Sequence, residues 1–153
     1  MGRSSKPLMR VYLTKRYSFA AAHRLHNDAW SAEENRRVYG KCNHPYGHGH
    51  NYALEVSASG PLDCITGRAV DPAALDRLVE RRVLAPFDHR NLNVEAPVFA
   101  SAVPTSENLA VEILRRLKAE WRVEFPGEWP KLDRVRIAET ANNMFEMGTD
   151  EIP

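Results

Sequence analysis

A strict alternation from His48 to Ala58 constrains this chain more than any other feature. His48, His50, Tyr52, Leu54, Val56 and Ala58 share one parity, with Gly49, Asn51, Ala53, Glu55 and Ser57 between them. A period of two reads as a strand buried on one face. The same parity sends the imidazoles of His48 and His50 out of one side. Just upstream, the Gly-rich run Gly40-Lys41-Cys42-Asn43-His44-Pro45-Tyr46-Gly47 supplies a thiol. Two histidines on one rigid element, with a thiol nearby, make half of a metal site.

Further strands follow from the same rule. Val11, Leu13, Tyr17 and Phe19 alternate with Thr14, Arg16 and Ser18, and Lys15 breaks the apolar side once. That parity continues through Ala21 to His23, which aims His23 toward the same covered face. Val135, Ile137 and Glu139 alternate with Arg134, Arg136 and Ala138. Glu139 thus holds an apolar-side position, where an ionised carboxylate needs a partner. Ala141-Asn142-Asn143 reads as a hairpin turn into a last strand, Met144 to Met147. Gly60-Pro61 and Thr66-Gly67 bracket a turn holding Cys64, with a short strand expected over Arg68 to Val70.

Two helices carry start signals. Asp71-Pro72 opens one, with Leu75, Leu78, Val79 and Arg82 on one face and an end before Pro86. Thr105 caps the other, Glu107 faces its positive dipole end, and Leu109, Ile113, Leu114, Leu117 and Trp121 line its inner face. Residues 27–39 are polar, with Glu33, Glu34, Arg36 and Arg37 together, and read equally as a helix or a long loop. Between the helices lies Asp88-His89. An acid beside an imidazole raises its proton affinity and fixes its tautomer if the backbone turns between them.

Hairpin-joined strands with grouped helices imply an α+β fold: an antiparallel β-sheet with two helices packed on one face. The other face is expected to be open and partly apolar, and to be covered by oligomerisation. Residues 1–9 read as a flexible tail and 10–153 as a single domain. The 21 Lys and Arg residues nearly balance the 20 Asp and Glu, and the net charge of +1 gives no bulk reason for a nucleic-acid or anionic-membrane partner. No apolar run approaches membrane-spanning length. The two cysteines, without an export signal, suit free thiols in the cytoplasm.

Several ordered motifs together resemble the 6-pyruvoyltetrahydropterin synthase family, which includes the 6-carboxytetrahydropterin synthases. They are Ser18-Phe19-Ala20-Ala21-Ala22-His23-Arg24-Leu25, Gly40-Lys41-Cys42-Asn43, Gly47-His48-Gly49-His50-Asn51-Tyr52, Asp88-His89-Arg90-Asn91-Leu92, Pro104-Thr105-Ser106-Glu107-Asn108 and Glu139-Thr140. The resemblance runs from about Val11 to Met147 and implies a tunnelling fold, whose sheets join into a barrel in a homohexamer made of two trimers. It implies one zinc ion per subunit on His23, His48 and His50, with active sites between subunits. Three imidazoles leave a fourth position open, as a catalytic zinc requires.

The resemblance also implies the reaction: dihydroneopterin triphosphate loses triphosphate and becomes 6-pyruvoyltetrahydropterin, with hydrogens moved inside the substrate. Cys42 as thiolate would take a proton, its pKa lowered by nearby positive charge. Asp88 and His89 would activate it from a neighbouring subunit. Glu139 would anchor the pterin, helped by Thr105, Ser106 and Glu107, and Mg2+ would accompany the triphosphate. The long segment between His23 and Cys42 favours this product over the 6-carboxytetrahydropterin of queuosine and deazapurine synthesis. An acid in place of the cysteine marks a folate branch, which Cys42 argues against. A non-catalytic zinc or pterin binder would have no need of Cys42, Asp88 and His89.

Overall fold

The computed structural model describes residues 9–152. Apart from Met9, the tail expected over residues 1–9 lies outside them, as does Pro153. The elements in order are β1 (Arg10–His23), α1 (Ala32–Tyr39), β2 (His48–Pro61), α2 (Pro72–Val79), α3 (Ala85–Phe87) and β3 (Arg90–Asn91). There follow α4 (Leu92–Glu95), α5 (Ser106–Glu124), β4 (Lys131–Thr140) and β5 (Asn143–Gly148). The strands form one sheet in the order β3-β1-β2-β4-β5. β1, β2, β4 and β5 pair antiparallel, and the two-residue β3 pairs parallel with β1 at Ala21 and Ala22. The architecture is the α+β arrangement that the alternation implied.

One sheet face is covered by α2 and α5. Leu75, Leu78, Val79, Leu109, Ile113, Leu114 and Leu117 form one buried cluster with Phe19, Tyr52, Leu54, Val56, Val135 and Ile137. These are the residues whose parity or helical spacing marked them as apolar. Lys15, the one break in the β1 pattern, is accommodated by Asp76 of α2. Lys15 Nζ donates to Asp76 Oδ2 at 2.8 Å and the Tyr17 hydroxyl donates to Asp76 Oδ1 at 2.7 Å. Those two hydrogen bonds hold the Asp76 carboxyl below its usual range.

The structure decides one open reading and overturns two others. Residues 27–39, left open between helix and loop, contain α1, capped by Ser31 whose Oγ accepts from Glu34 N at 3.1 Å. Glu33 and Glu34 in its first turn and Arg36 and Arg37 in its last complement the helix dipole. The strand expected over Arg68 to Val70 is absent. Asp63 Oδ1 instead accepts from the backbone N–H of Ile65 and Thr66 at 2.7 and 2.8 Å, which curls the segment into a turn. A strand there would also find no free edge on β2, which β1 and β4 already flank.

The helix begun at Pro72 does not stop before Pro86. It widens into a π-helical turn over Glu80–Leu84 and resumes as α3. The widened turn accommodates a proline that has no N–H to give and whose ring would crowd a regular preceding turn. The open sheet face, finally, is partly apolar, as expected, with polar pairs between its apolar residues. Thr14 bonds Ser57 at 2.7 Å, Arg136 donates to Glu55 at 2.6 Å, Arg10 donates to Asp133 at 2.8 Å, and Arg134 pairs with Glu146. Between these pairs the same parity leaves Tyr12, 65% exposed, and Met144, 57% exposed, on the open face. Among the described residues, no helix is long and apolar enough to cross a membrane.

Asp76→Asn should lower the melting temperature at pH 7 by roughly 2–4 °C, the range for a partly exposed ion pair in a domain of this size. The Asp76 pKa is depressed by folding, so its contribution is present above the unfolded value and is lost as pH falls through the folded one. The melting curves of the two proteins should therefore converge as pH falls below the ordinary aspartate range. Thermal melts across an acid series check this, and a gap that persists at low pH contradicts it.

Candidate metal centre

The cross-strand register brings the histidines together. His23 at the end of β1 lies opposite His48 at the start of β2, and Ala21 lies opposite His50. His23, His48 and His50 all emerge on the helix-covered face, with ring centroids 4.5 to 5.2 Å apart. His23 is 1% exposed. Its Nδ1 is 2.9 Å from the Pro104 carbonyl and 3.3 Å from the Tyr52 hydroxyl. A carbonyl oxygen can only accept, so Nδ1 carries the proton and the Nε2 lone pair is free. A hydrogen bond from the far ring nitrogen to a backbone carbonyl sets the tautomer of a metal-ligating histidine.

The Nε2 atoms of His23, His48 and His50 are all buried and make no hydrogen bond. Glu139 Oε1 stands 3.3 Å from His23 Nε2 and 3.1 Å from His50 Nε2. These are ion-pair distances without hydrogen-bond alignment, so the nitrogens stay unsatisfied. Burial pushes the His23 and His48 imidazoles toward the neutral form, and the charge of a protonated His50 nearby would push the same way. Neutral imidazole is the ligating form. The donor atoms of His23, Cys42 and His48 lie within 4.8 Å of one another, and so do those of His23, His50 and Glu139. Three buried, unbonded imidazole nitrogens beside a thiol and a carboxylate fit a metal ion.

Glu139 reaches the cluster from β4. Its register against β5 shifts between Ala138 and Thr140, and an irregularity of this kind re-aims a side chain at a strand end. Cys42 arrives by a different route, on a 3-10 turn over Gly40–Asn43. Leu25 N donates to Cys42 O at 2.8 Å, and Asn43 Nδ2 donates to Leu25 O at 2.8 Å. The turn is thereby laced to the chain just past His23. Burial, and after it the Glu139 carboxylate, push the Cys42 thiol up. The lowering by nearby positive charge that the family resemblance implied is supplied by no side chain among the described residues.

Asp88 and His89 are paired but stand outside the cluster. Asp88 Oδ1 is 3.0 Å from His89 Nδ1 and also accepts from Ala20 N at 2.9 Å, which lowers its pKa. His89 N donates to Ala20 O at 2.6 Å, and the residue adopts φ 59°, the left-handed region that few non-glycine residues occupy. The His89 side chain is 83% exposed at the rim of the sheet. Thr105 caps α5 by accepting from Asn108 N at 3.2 Å. Ser106 is buried with no partner for its hydroxyl, next to the Pro104 carbonyl that holds His23. Glu107 lines a cavity along β5 with Arg134 and Phe145, away from the imidazoles.

Sequence reasoning passed over four residues that shape the site. Tyr52 was visible by parity. Asn43 and Asn93 left no signal, because side-chain bonds to distant backbone have no periodicity. Asn93 accepts from Arg24 N at 2.7 Å and donates to Arg24 O at 2.9 Å, as a strand would. Gly47 is the fourth. It has φ 70°, and a Cβ there would sit 2.7 Å from the His23 carbonyl oxygen.

The fold and the donor set define an α+β domain with a candidate metal centre, its imidazoles on adjacent strands and a thiol brought in by a loop. The family model described as 6-pyruvoyl tetrahydropterin synthase matches residues 12–150. A 6-pyruvoyl tetrahydrobiopterin synthase of Poecilia reticulata is 44% identical over 133 residues, covering 87% of this chain and 86% of that one. The Homo sapiens protein of the same name is 40% identical over 132 residues, covering 86% and 87%. A solved structure of Caenorhabditis elegans 6-pyruvoyl tetrahydropterin synthase superposes with a TM-score of 0.83 at 37% identity, covering 92% of this chain and 96% of that one. The chain belongs to the 6-pyruvoyl tetrahydropterin synthase family.

Gly47→Ala would combine a strained φ with a backbone clash at His23, at a cost of about 1–3 kcal/mol. The expected result is a lower melting temperature together with reduced metal content by elemental analysis. Full metal occupancy in the variant would show that the close approach at His23 is dispensable.

Proposed function

We propose that this protein is a zinc-dependent lyase that converts dihydroneopterin triphosphate into 6-pyruvoyltetrahydropterin with release of triphosphate. The observation that carries the reading is the set of three buried, unbonded imidazole nitrogens beside Cys42 and Glu139. His23, His48 and His50 would hold the zinc. When bound, zinc supplies a Lewis acid that stabilises negative charge on the substrate side-chain oxygens. The polypeptide does the rest.

Glu139 accepts hydrogen bonds from the pterin amino group and its neighbouring N–H, a carboxylate-to-amidine fork. Thr105 and Ser106 border the ring, Ser106 offering an uncommitted hydroxyl, and Glu107 takes a lesser part. Cys42 removes a proton from a side-chain carbon. A thiol pushed up by burial is mostly protonated at neutral pH, so it needs a base. The Asp88–His89 pair is that base, and its exposed place on the sheet rim suits service to a neighbouring subunit.

That division of labour supports a homohexamer of two trimers with barrel-forming sheets. Further support comes from β1, whose outer edge pairs with β3 only at Ala21 and Ala22. Before Ala20, that edge faces no other strand among the described residues and leaves backbone groups for another copy. Mg2+ would accompany the triphosphate. Residence in the cytoplasm agrees with two unpaired cysteines, Cys42 and Cys64.

Mass spectrometry of the products from dihydroneopterin triphosphate, with zinc and magnesium present, tests the reaction. Accumulation of 6-pyruvoyltetrahydropterin is expected, and 6-carboxytetrahydropterin with acetaldehyde would refute it. Cys42→Ala should retain zinc and pterin affinity while kcat falls by about 10²- to 10⁴-fold, the usual weight of a general base. His48→Ala should lose the metal as well, which zinc analysis by emission spectroscopy would register.

A further inference from the structure

Against the turn that carries Cys42 lies a cavity of about 510 Å3 whose wall includes Arg24, Arg36, Lys41, His26 and His44, and no carboxylate. Arg36 and Lys41 have no carboxylate within ion-pair distance among the described residues, and the guanidinium of Arg24 bonds only the Asn43 carbonyl, at 3.2 Å. The nearby acids are committed elsewhere: Glu34 to Arg37, and Asp28 to the outer nitrogen of His26 at 3.3 Å. Most other arginines of the chain are paired, as Arg77 with Glu124, Arg116 with Glu112 and Arg136 with Glu55. With a net charge of only +1, three unpaired cations at one concavity are a local excess, not a reflection of the whole chain. Like charges gathered without counter-ions repel, and an anion between them relieves that repulsion.

The place of the cavity fixes what the anion belongs to. Lys41 and Asn43 flank Cys42 in sequence, and Arg24 follows His23. Arg24 is also held in advance, by the double bond of Asn93 to its backbone and by the Asn43 carbonyl at its Nε. We propose that this cavity is an oligophosphate subsite, in which Arg24, Arg36 and Lys41 receive the triphosphate of the substrate. The assignment rests on the pterin-triphosphate reading above. Guanidinium groups grip phosphate oxygens through paired N–H donors and Lys41 adds a mobile point charge. His44, whose Nδ1 accepts from Tyr46 N at 3.3 Å, has its other ring nitrogen to offer as a further donor.

The test uses full-length protein loaded with zinc, with inorganic tripolyphosphate as the probe. Calorimetric titration and steady-state kinetics are run on the wild type, Arg36→Glu and Lys41→Ala. Both substitutions lie at exposed positions, and unchanged zinc content and melting temperature verify the fold. Tripolyphosphate should bind about 10- to 100-fold more weakly to each variant, the loss expected of one charge-assisted contact. For dihydroneopterin triphosphate the loss should fall on KM more than on kcat.

A wild type that turns over substrate while both variants keep its KM and tripolyphosphate affinity would overturn the subsite and leave the proposed reaction standing. A wild type that binds tripolyphosphate, loses it in the variants and yet shows no turnover would support the subsite and remove the pterin reading. Failure of the wild type to bind tripolyphosphate overturns the assignment directly.

Discussion

The antiparallel pairing of β1 with β2 runs unbroken from Arg10 opposite Pro61 to His23 opposite His48. A slip of one residue would turn every side chain of one strand to the other face, so the burial of one face fixes the register. Phe19 and Tyr52 are direct cross-strand partners, stacked with centroids 5.1 Å apart and almost fully buried. Leu54 and Val56 continue the same face without exposure. The hydrophobic core thus does the aligning and the imidazoles are carried along by it. The ligands need no local device to find one another, because packing four residues away has already placed them.

The thiol depends on a different kind of force. Between His23 and His48 the chain leaves the sheet for a long excursion that buries little apolar surface. It is held by amides: buried Asn35 accepts from Asn27 N at 2.7 Å and donates to Asn27 O and Ser31 O at 2.9 and 3.0 Å. Asn43 ties Cys42 to the segment after His23, and Asn93 brackets Arg24. An amide left unpaired in such a place would cost about 1–3 kcal/mol, so these bonds specify one arrangement of the loop. The sheet is positioned by what it excludes from water, and the loop by what it must satisfy.

That contrast explains what could be read from the sequence. The four long strands, the core faces of the two main helices and the common direction of His23, His48 and His50 all follow from alternation or capping. β3 could not be seen, since two residues have no period. The strand expected at Arg68 to Val70 failed because turn chemistry at Asp63 and the full occupation of β2 outweighed local pattern. The helix past Pro86 was misjudged because a π-helical turn relieved the usual proline penalty. The nearness of Cys42 to the imidazoles entered as a matter of sequence neighbourhood, while its actual anchorage rests on asparagines with no signature. Burial and the Glu139 carboxylate, which push its thiol up within this subunit, were hidden until the fold was known.

The excursion from Arg24 to Gly47 starts and ends at one cross-strand pair. Whatever lies within it, the two flanking strands meet in the same register, and added length in a closed loop costs only about 0.6 kcal/mol per doubling. Insertions, deletions or a new nucleophile could accumulate in this segment while the histidines stay where they are. The strands act as a fixed socket and the loop as an exchangeable fitting, so that one scaffold can be retuned to related reactions without being refolded.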